Sequence, residues 1–525
     1  MPRISHGDII TLEQVQSAIE DINWINASGG ASRTTPPVLT RFNYMFPSLQ
    51  KNPAHQHKTS PQTVNYLIEL GKTMLDPGTE RDPRTDQPLD SDIPSAYTYF
   101  AQFVDHDITL EAVTKDVKLD SSLKPWSLKK VLRKIKNTRK ATLDLDSVYE
   151  PAFYKGKYYP VPRDGDKMVI GRAVTSGPVP NPPGTDINDS DLAREDPHPE
   201  NPSLDRAAKI GDGRNDENLI ISQLHLAFLR AHNAIVDQHY NFKGARKLLR
   251  RHYQWIVIHD FLKRIADPKI VNGFLSGSTK KIYVPADKDF FLPLEFTVAA
   301  YRFGHSMIRQ TYNYNISQDK VEISDLFMPQ AMDEYTGILP SWIIQWKGFV
   351  EGGVNVARLI NTQLSNALFS VPNAPGTSIP NEANLAVRDL LRGYLLRIPT
   401  GQSVAQALNL PVLSPADIQD VAANDKQLEV LRGDSGFLER TPLWFYILAE
   451  AARWGNGRLG PVGSTIVASV LIELVLRSPD SFLKKPKWSP TLGKTEGQFN
   501  LSDLLHLAKV LQPSELIPKG ENHVS

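Results

Sequence analysis

Residues 100–107 read Phe-Ala-Gln-Phe-Val-Asp-His-Asp within a stretch whose apolar residues have helical spacing. Gln102 precedes His106 by four positions and therefore shares its face of the predicted helix. Asp105 and Asp107 project about 100° to either side of that face. An imidazole flanked by two carboxylates is not simple core filling, so one carboxylate is a candidate for a cofactor and the other for a cation. The structural alternative is an exposed acidic helix end.

A second polar stretch precedes a strongly apolar helical pattern. Residues 211–218 read Gly-Asp-Gly-Arg-Asn-Asp-Glu-Asn, and the apolar pattern begins at Leu219. Arg214 and Glu217 are three positions apart and can share one face. The structural alternative is an ion pair at a helix N-terminus, where the helix dipole stabilises acidic residues.

A third stretch, Tyr-Arg-Phe-Gly-His-Ser-Met over 301–307, lies in an otherwise apolar pattern that predicts a helix over 291–312. A single histidine in such a place is usually a hydrogen-bonded core residue. Gly304, however, stands next to His305, and a residue without Cβ allows a flat group to approach the backbone closely.

A fourth stretch, residues 137–149, alternates oxygen-bearing and apolar side chains. Thr142, Asp144 and Asp146 fall at every second position. Carboxylates and intervening carbonyl groups suit a hard cation such as Ca²⁺. The stretch lacks the twelve-residue EF-hand pattern, and a turn with two acidic side chains is the alternative.

The rest of the chain predicts a mainly α fold with one large core, long irregular connections and little β structure. Residues 160–204 are rich in Pro, Gly, Asp and Asn and are expected to form a loop. The best strand candidate is Lys-Ile-Tyr-Val at 281–284. Helices are predicted over 62–75, 94–110, 124–140, 215–240, 244–266, 291–312, 383–395, 402–408, 415–432, 441–453, 463–477 and 500–511.

Composition excludes several classes of protein. The 525 residues are 41% hydrophobic and 22% charged, which is ordinary globular usage. Lys and Arg total 59 against 58 Asp and Glu, so no overall basic field exists to hold nucleic acid. Cysteine is absent, which removes disulfides, thiolate metal sites and cysteine-ligated haem.

The polar, proline-punctuated residues 1–60 are expected to form a surface arm, and 61–525 one catalytic domain. The N-terminus shows no signal-peptide core, and no stretch of ~18 uncharged apolar residues predicts a membrane span. Cytoplasm is therefore the default expectation, with leaderless export as the alternative. The basic stretch 124–136 is expected to be a solvated surface helix, or else an anionic-partner patch.

In this order the four motifs resemble the animal-type haem peroxidases, the family of myeloperoxidase and lactoperoxidase, in its bacterial-like branch. The resemblance runs from about residue 95 to about 450. Any one motif alone would be weak, but four in the expected order are specific. The resemblance implies a single large haem-peroxidase domain that binds haem b and Ca²⁺.

The resemblance implies three catalytic residues on the distal side of the haem. His106 matches the distal histidine, Gln102 the distal glutamine and Arg214 the distal arginine. A neutral imidazole there can take a proton from peroxide and return it to the leaving oxygen. A fixed guanidinium stabilises charge as the O–O bond breaks.

On the other side, His305 matches the ligand of the haem iron and Arg302 the arginine that meets a haem propionate. Asp389 stands where the family's partner of the proximal histidine is usually Asn. A carboxylate there is expected to give the imidazole more anionic character and to lower the Fe(III)/Fe(II) potential. Asp105 and Glu217 match the carboxylates that form ester bonds to haem methyl groups.

The implied calcium site consists of Asp107 with Thr142, Asp144 and Asp146. Two departures from the family pattern affect it, because Lys140 stands where a calcium-binding Thr is usual and Asp146 where Ser is usual. The additional negative charge of Asp146 is expected to compensate for the loss of the threonine.

The resemblance implies an enzyme that reduces hydrogen peroxide and oxidises a halide, thiocyanate or phenol through a ferryl intermediate, in the context of oxidative stress. The alternative is a fatty-acid dioxygenase of the cyclooxygenase-like relatives, which use a tyrosyl radical three residues before the proximal histidine. Arg302 holds that position here. Tyr301 lies one residue earlier and is expected to point about 100° away from it. A non-catalytic haem- or calcium-binding protein would need neither His106 nor Arg214.

Overall fold

The computed structural model describes residues 40–112, 121–154, 157–174, 188–197, 206–327, 337–371 and 383–511. Residues 1–39 of the expected N-terminal arm lie outside this range. Residues 40–60 contain a short strand and a short helix, and contribute Phe42, Tyr44 and Leu49 to the buried core.

Helices dominate the described secondary structure, so the predicted mainly α fold class is confirmed. Most of the predicted helices are found within a few residues of their expected bounds. The described α-helices are α1 (Pro47–Gln50), α2 (Pro61–Thr73), α3 (Ala96–Ile108), α4 (Leu128–Lys134), α5 (Asp146–Tyr149), α6 (Leu219–Val236), α7 (Phe242–Trp255), α8 (Leu262–Ile265), α9 (Pro268–Ser276), α10 (Leu294–Thr297), α11 (Leu385–Leu395), α12 (Gly401–Ala407), α13 (Pro415–Asp420), α14 (Asp425–Arg432), α15 (Leu443–Trp454), α16 (Pro461–Arg477) and α17 (Leu501–Leu507). Of these, α1, α5 and α9 were not predicted.

Local capping explains several helix starts. The Ser60 side chain accepts a hydrogen bond from the backbone N–H of Thr63, and Pro61 occupies the first turn of α2. Asn218 begins α6 in the same way, by accepting from the N–H of Ile221. A turn of π-helix, Ile256–Phe261, joins α7 to α8.

The continuous helix expected over 291–312 is wrong. Strand Phe291–Pro293 is followed by α10 and then by a 3-10 helix, Ala300–Met307, before strand Thr311–Tyr312. Pro293 has no N–H to give to a helix, and apolar spacing over eight residues does not separate a period of 3.0 from one of 3.6. The 3-10 helix is called the His305 segment below.

Three other expectations are corrected. Residues 281–284 form no strand; the N–H of Tyr283 donates instead to the Ser469 hydroxyl on α16. The expected loop over 160–204 contains short antiparallel pairs in its described part, 163–164 with 167–168 and 170–171 with 191–192. The predicted helix over 415–432 is two helices, because Asn424 caps a new one.

The described strands are short. The largest sheet has four strands in the order Phe291–Pro293, Thr40–Asn43, Lys136–Asn137 and Glu111–Ala112. The second of these is parallel to the first and antiparallel to the third. The strands are β1 (Thr40–Asn43), β2 (Asp90–Pro94), β3 (Glu111–Ala112), β4 (Lys136–Asn137), β5 (Ala152–Tyr154), β6 (Lys157–Tyr159), β7 (Arg163–Asp164), β8 (Lys167–Met168), β9 (Ile170–Gly171), β10 (Asp191–Leu192), β11 (Phe291–Pro293), β12 (Thr311–Tyr312), β13 (Val321–Glu322) and β14 (Val356–Arg358).

Helix α6 lies at the centre of the core. It packs against α3, α7 and α17. Within the described part of the chain, α6 is the helix whose length and composition would allow it to cross a membrane, but 78% of that window is buried inside the protein. Helix α3 also packs against the His305 segment, which in turn contacts α15 and α16. These contacts bring the first and third sequence motifs to one place.

Glu450 gives the core a pH-dependent stability. Its carboxylate accepts hydrogen bonds from the N–H groups of Val462 at 2.8 Å and Gly463 at 3.2 Å, in the first turn of α16. Burial nevertheless raises its pKa to about 8. In the unfolded chain a glutamate ionises near pH ~4.3. The folded state therefore loses stability as the pH rises from that value through the folded pKa.

We expect the Glu450→Gln variant to remove this loss. Its melting temperature minus that of the wild type should increase between pH 5 and pH 8 and then level off, as measured by calorimetry. Glu429→Gln, on an exposed side of α14, is the control and should show no such trend. Parallel melting curves of Glu450→Gln and wild type across this range would contradict the assignment.

Candidate active site

A cavity of about 210 Å³ lies between α3 and the His305 segment. The sheet forms part of its wall through Phe42 of β1 and Glu111 of β3. Five of the sequence-predicted site residues line this cavity: Gln102, Asp105, Arg214, Arg302 and His305. The remaining predicted residues lie behind this lining or in a separate cluster.

His106 is completely buried behind the lining. Its Nδ1 lies 2.7 Å from the side-chain oxygen of Asn215. An amide oxygen only accepts hydrogen bonds, so in this orientation Nδ1 carries the proton and Nε2 keeps the lone pair. Asn215 is a site residue that the sequence reasoning missed, although it directly follows Arg214.

Arg214 is held by a second missed residue, Asp212. Its Nε donates to one Asp212 oxygen at 3.1 Å and its Nη2 to the other at 2.8 Å. The same Nη2 donates to the backbone oxygens of His106, at 3.2 Å, and Thr109. Arg139 adds a further bond to Asp212 at 2.6 Å. The guanidinium is therefore fixed beside the His106 backbone.

The electrostatics keep this ion pair charged. Burial alone would raise the pKa of Asp212, but Arg214 and Arg139 hold it well below its usual range. The pKa of Arg214 is raised, because Asp212 outweighs the effect of burial. The simple alternative of an Arg214–Glu217 ion pair is not what the structure shows, since the close carboxylate is that of Asp212.

Gln102 connects α3 to the loop before α6. Its amide nitrogen donates to a carboxylate oxygen of Glu217, and the Asn218 amide nitrogen lies 3.5 Å from its oxygen. Asp105 lines the cavity directly. The two carboxylates predicted to form ester bonds are therefore both near the cavity, one in its lining and one joined to that lining through Gln102.

On the opposite element, His305 is held by the buried Asp389 of α11. Its Nδ1 lies 2.6 Å from one carboxylate oxygen, and the other accepts from Arg302 Nη1 at 2.5 Å. Burial alone would raise the pKa of Asp389, but Arg302 and His305 lower it. The carboxylate is thus anionic and accepts a hydrogen bond from the Nδ1–H of His305. The lone pair of the ring is then on Nε2.

These residues fit a flat group with an axial nitrogen ligand. The imidazole of His305 lines the cavity, and a Cβ added at the adjacent Gly304 would meet no atom within 4 Å. The donor set around the same cavity contains Arg302 and Arg214, which suit an anionic group. A haem would therefore be held by His305 and Arg302, in the open space beside Gly304.

The expected orientation of Tyr301 is wrong. Its side chain lines the same cavity instead of pointing away from it. Its hydroxyl is buried and has no hydrogen-bond partner within the described ranges. In the 3-10 helix Ala300–Met307 a residue four positions before His305 is rotated by about 120° from it, so Tyr301 and His305 reach the cavity from different directions.

The four predicted calcium ligands form a separate cluster behind α3. Asp107 accepts hydrogen bonds from the N–H groups of Leu145 at 3.1 Å and Ser147 at 3.3 Å. Asp144 accepts from the Thr142 hydroxyl at 2.7 Å. Burial, with the charges of Asp146 and Asp144, raises the pKa of Asp107 to about 8.

The cluster is not arranged as a metal site in its present geometry. Among the described residues, no group of three or more His, Asp or Glu side chains is placed to hold a metal ion. A cation of the chain is close, since Lys140 Nζ lies 3.9 Å from Asp146 Oδ1. Burial raises the pKa of Asp146 to about 6 in spite of Lys140.

Comparison with known proteins identifies the family. The family model described as animal haem peroxidase matches residues 181–510, which is more than half of the chain. The matched range includes Arg214, His305 and Asp389, and it begins after α3. The chain is 26% identical over 219 residues to a peroxidase-like protein of Margaritifera margaritifera, which covers 37% of this chain and 27% of that protein. The matched part of this chain spans about a quarter of the length of each of the first four curated relatives.

Two solved structures show the same fold at low sequence identity. Peroxidase A from Dictyostelium discoideum has a TM-score of 0.53 and 16% identity, covering 86% of this chain and 90% of that one. A fatty acid alpha-dioxygenase from Arabidopsis thaliana has a TM-score of 0.54 and 12% identity, covering 87% and 79%. The fold is thus shared by both classes of enzyme, and the family match supplies the distinction: this chain belongs to the animal haem peroxidase family.

Proposed function

We propose that this chain is a haem-dependent peroxidase that reduces hydrogen peroxide and oxidises a small electron donor. The observation that carries the proposal is the joint lining of one cavity by His305, held by Asp389, and by Arg214, fixed beside His106. A protein that only stored haem would not need a buried guanidinium and a second imidazole at the same place.

Bound haem would supply the iron at which the peroxide O–O bond is cleaved and would hold the oxidising equivalents. His305 Nε2 is the nitrogen available to ligate that iron, because Nδ1 is engaged by Asp389. Arg302 bonds to Asp389 and lines the cavity, so it is placed to tune the carboxylate and to meet a propionate.

His106 and Arg214 perform the proton and charge chemistry in this proposal. In this proposal peroxide reaches His106 through the part of the cavity wall that covers it, and Nε2 of His106 accepts a proton from one peroxide oxygen and returns it to the other, which leaves as water. Arg214 keeps its charge and position because Asp212 accepts two hydrogen bonds from the Nε–Nη2 edge of its guanidinium, so it stabilises developing negative charge without moving. Gln102, anchored to Glu217, presents its amide to the same cavity.

The donor is proposed to be small: bromide, iodide, thiocyanate or a phenol. The support is the set of hydrogen-bonding and cationic side chains in the cavity wall, Gln102, Arg214 and Arg302, which favour an anionic or hydrogen-bonding donor. Residue 218 is Asn, so the sulfonium link that a methionine makes in myeloperoxidase is excluded here.

A fatty-acid dioxygenase is the second candidate, and one observation favours it. Tyr301 lines the cavity and its hydroxyl is buried there. Arg302, at the position where those relatives carry the radical tyrosine, is bound to Asp389. The fold likeness to fatty acid alpha-dioxygenases does not favour either candidate, because peroxidase A shares it equally.

The first test compares peroxide-dependent guaiacol oxidation by wild type and by the His106→Ala variant. We expect the variant to lose about 10²- to 10⁴-fold in rate, which is the usual contribution of a positioned acid–base group. His239→Ala, which removes an exposed histidine, is the control and should retain the wild-type rate. Equal activity of His106→Ala and wild type would remove His106 from the mechanism.

The same preparations test the second candidate and the haem attachment. Oxygen consumption with linoleic acid in the absence of peroxide would establish the dioxygenase in place of the peroxidase. Acid–butanone extraction after peroxide treatment tests the ester bonds that we propose for Asp105 and Glu217. If all haem leaves the wild-type protein, neither ester forms.

The Asp389 carboxylate is expected to lower the Fe(III)/Fe(II) potential, because it gives His305 anionic character. The Asp389→Asn variant should therefore have a higher potential than the wild type in a redox titration. The expected increase is about 60 mV, a tenfold change for a one-electron couple, and Arg302 limits it by neutralising part of the carboxylate charge. An equal or higher potential in the wild type would contradict this. Asp260→Asn, another buried carboxylate, is the control.

We also propose that Ca²⁺ binds among Asp107, Asp144 and Asp146. The support is the burial of three carboxylates placed so that the charge of Asp144 contributes to the raised pKa values of Asp107 and Asp146. Such a cluster is costly unless a cation compensates it. Ca²⁺ prefers carboxylate, hydroxyl and carbonyl oxygens, and Thr142 and the intervening backbone supply the latter two.

Elemental analysis should find one calcium per chain, and removal by a chelator should lower the melting temperature by several degrees, with recovery when Ca²⁺ is restored. Asp146→Asn should weaken the binding, whereas Asp289→Asn, on the exposed surface, should not. Absence of calcium, with a melting temperature that does not respond to chelator, would mean that Lys140 serves as the compensating cation instead.

A further inference from the structure

Asn215 connects two buried histidines. Its side-chain oxygen lies 2.7 Å from Nδ1 of His106, and its side-chain nitrogen lies 3.0 Å from Nδ1 of His225 on α6. All three side chains are fully buried. Asn215 therefore offers one acceptor and one donor to two ring nitrogens of the same type.

This arrangement couples the two imidazoles. The Asn215 oxygen requires a proton on the Nδ1 that it faces, and the Asn215 N–H requires a lone pair on the Nδ1 that it faces. One histidine must then carry its proton on Nδ1 and the other on Nε2. If the amide rotated by 180°, both tautomers would exchange together, because an amide cannot accept from both rings.

His225 is suited to act as the fixed end of this hydrogen-bonded series of three side chains. Burial lowers its pKa to about 3, and the nearby Asp212 and Asp216 reduce that shift only in part. It is thus a neutral imidazole over the working range of most enzymes and offers Nδ1 as an acceptor. Its ring also packs against Phe103 of α3, with ring centroids 6.0 Å apart.

We infer that Asn215 and His225 are positioning residues for His106, which hold its proton on Nδ1 so that Nε2 keeps the lone pair. In the structure the Asn215 oxygen faces His106, which is the orientation that gives this result. The inference rests on the proposed peroxidase function, since only there does the Nε2 lone pair have a task. That task is to accept the O–H proton of peroxide, which is later returned to the leaving oxygen. The opposite tautomer would place a proton on Nε2 and block this step.

The tautomers can be read directly from ring ¹⁵N chemical shifts. The measurement uses the holoenzyme labelled with ¹⁵N-histidine in its reduced, carbon-monoxide-bound form, which is diamagnetic. His106→Gln and His225→Gln assign the two signals. In the wild type we expect His106 to be protonated on Nδ1 and His225 on Nε2.

Two substitutions of Asn215 separate positioning from general structure. In Asn215→Asp the carboxylate accepts from both rings, so His225 should change to the Nδ1–H form while His106 keeps its tautomer. In Asn215→Leu both bonds are lost. His106 should then populate the Nε2–H form, and the rate constant for peroxide should fall roughly 10- to 100-fold, as for other residues that orient a functional imidazole. The KM for the electron donor should not change.

Asn233→Leu is the matched control. Asn233 lies on the same helix as His225 and bonds to the backbone of Met168. Its replacement therefore destabilises the fold without removing a hydrogen bond between His106, Asn215 and His225. It should leave both tautomers and the peroxide rate constant unchanged.

The inference is overturned if wild-type His106 carries its proton on Nε2, or if the His106 tautomer is the same in Asn215→Leu and wild type. If Asn215→Leu does not fold, the wild-type and Asn215→Asp spectra still decide. A protein with the expected tautomers that fails to consume peroxide would contradict the proposed function and leave the coupling intact. Peroxide turnover with the opposite tautomer would do the reverse.

Discussion

Asp212 and Asp389, the two carboxylates that anchor the cavity wall, are buried, and each therefore depends on a cationic partner inside the protein. Asp212 holds Arg214, and Asp389 is shared by Arg302 and His305. Loss of one partner would leave an uncompensated charge in the core, which costs several kcal/mol, ~3–5 in typical cases. The same requirement restricts motion at the site, because the hydrogen bonds to Asp212 and Asp389 orient the Arg214 guanidinium and the His305 imidazole. The ion pairs that compensate the buried charges are therefore the same contacts that hold the site in one arrangement.

Helix α6 and its preceding loop make this arrangement possible. The loop supplies Asp212, Arg214 and Asn215 within four residues, and α6 follows immediately with His225. Because α6 packs against α3, the loop meets the face of α3 that carries Gln102 and His106. An apolar helix thus positions a polar site through its two ends and flanks, while its apolar length is buried in the core. The polar residues at the start of α6 are hydrogen-bonded to α3 and are not an exposed helix end.

The fold and the side chains at the cavity give different information about the activity. Peroxidase A and fatty acid alpha-dioxygenase have almost the same similarity to this chain, so the architecture alone is compatible with either activity. The distinction lies in a few side chains at one cavity. Asp389, where the resemblance implies Asn, and Tyr301, which lines the cavity, both lie on the His305 side of the cavity.

The sequence by itself determined the helices with long apolar periodicity and the four motifs, because spacing along a helix is a local property. It also pointed to His305 with Asp389 and to Gln102 with His106 through family resemblance. Only the tertiary structure decided which carboxylate holds Arg214, that Asn215 joins His106 to His225, and that Tyr301 faces the cavity. Those contacts depend on the docking of α3, α6 and the His305 segment, and on a 3-10 helix whose 120° rotation per residue apolar spacing did not distinguish from the α-helical value. A residue's neighbours along the chain restrict its backbone, whereas its partners across the core are set by how separate elements pack.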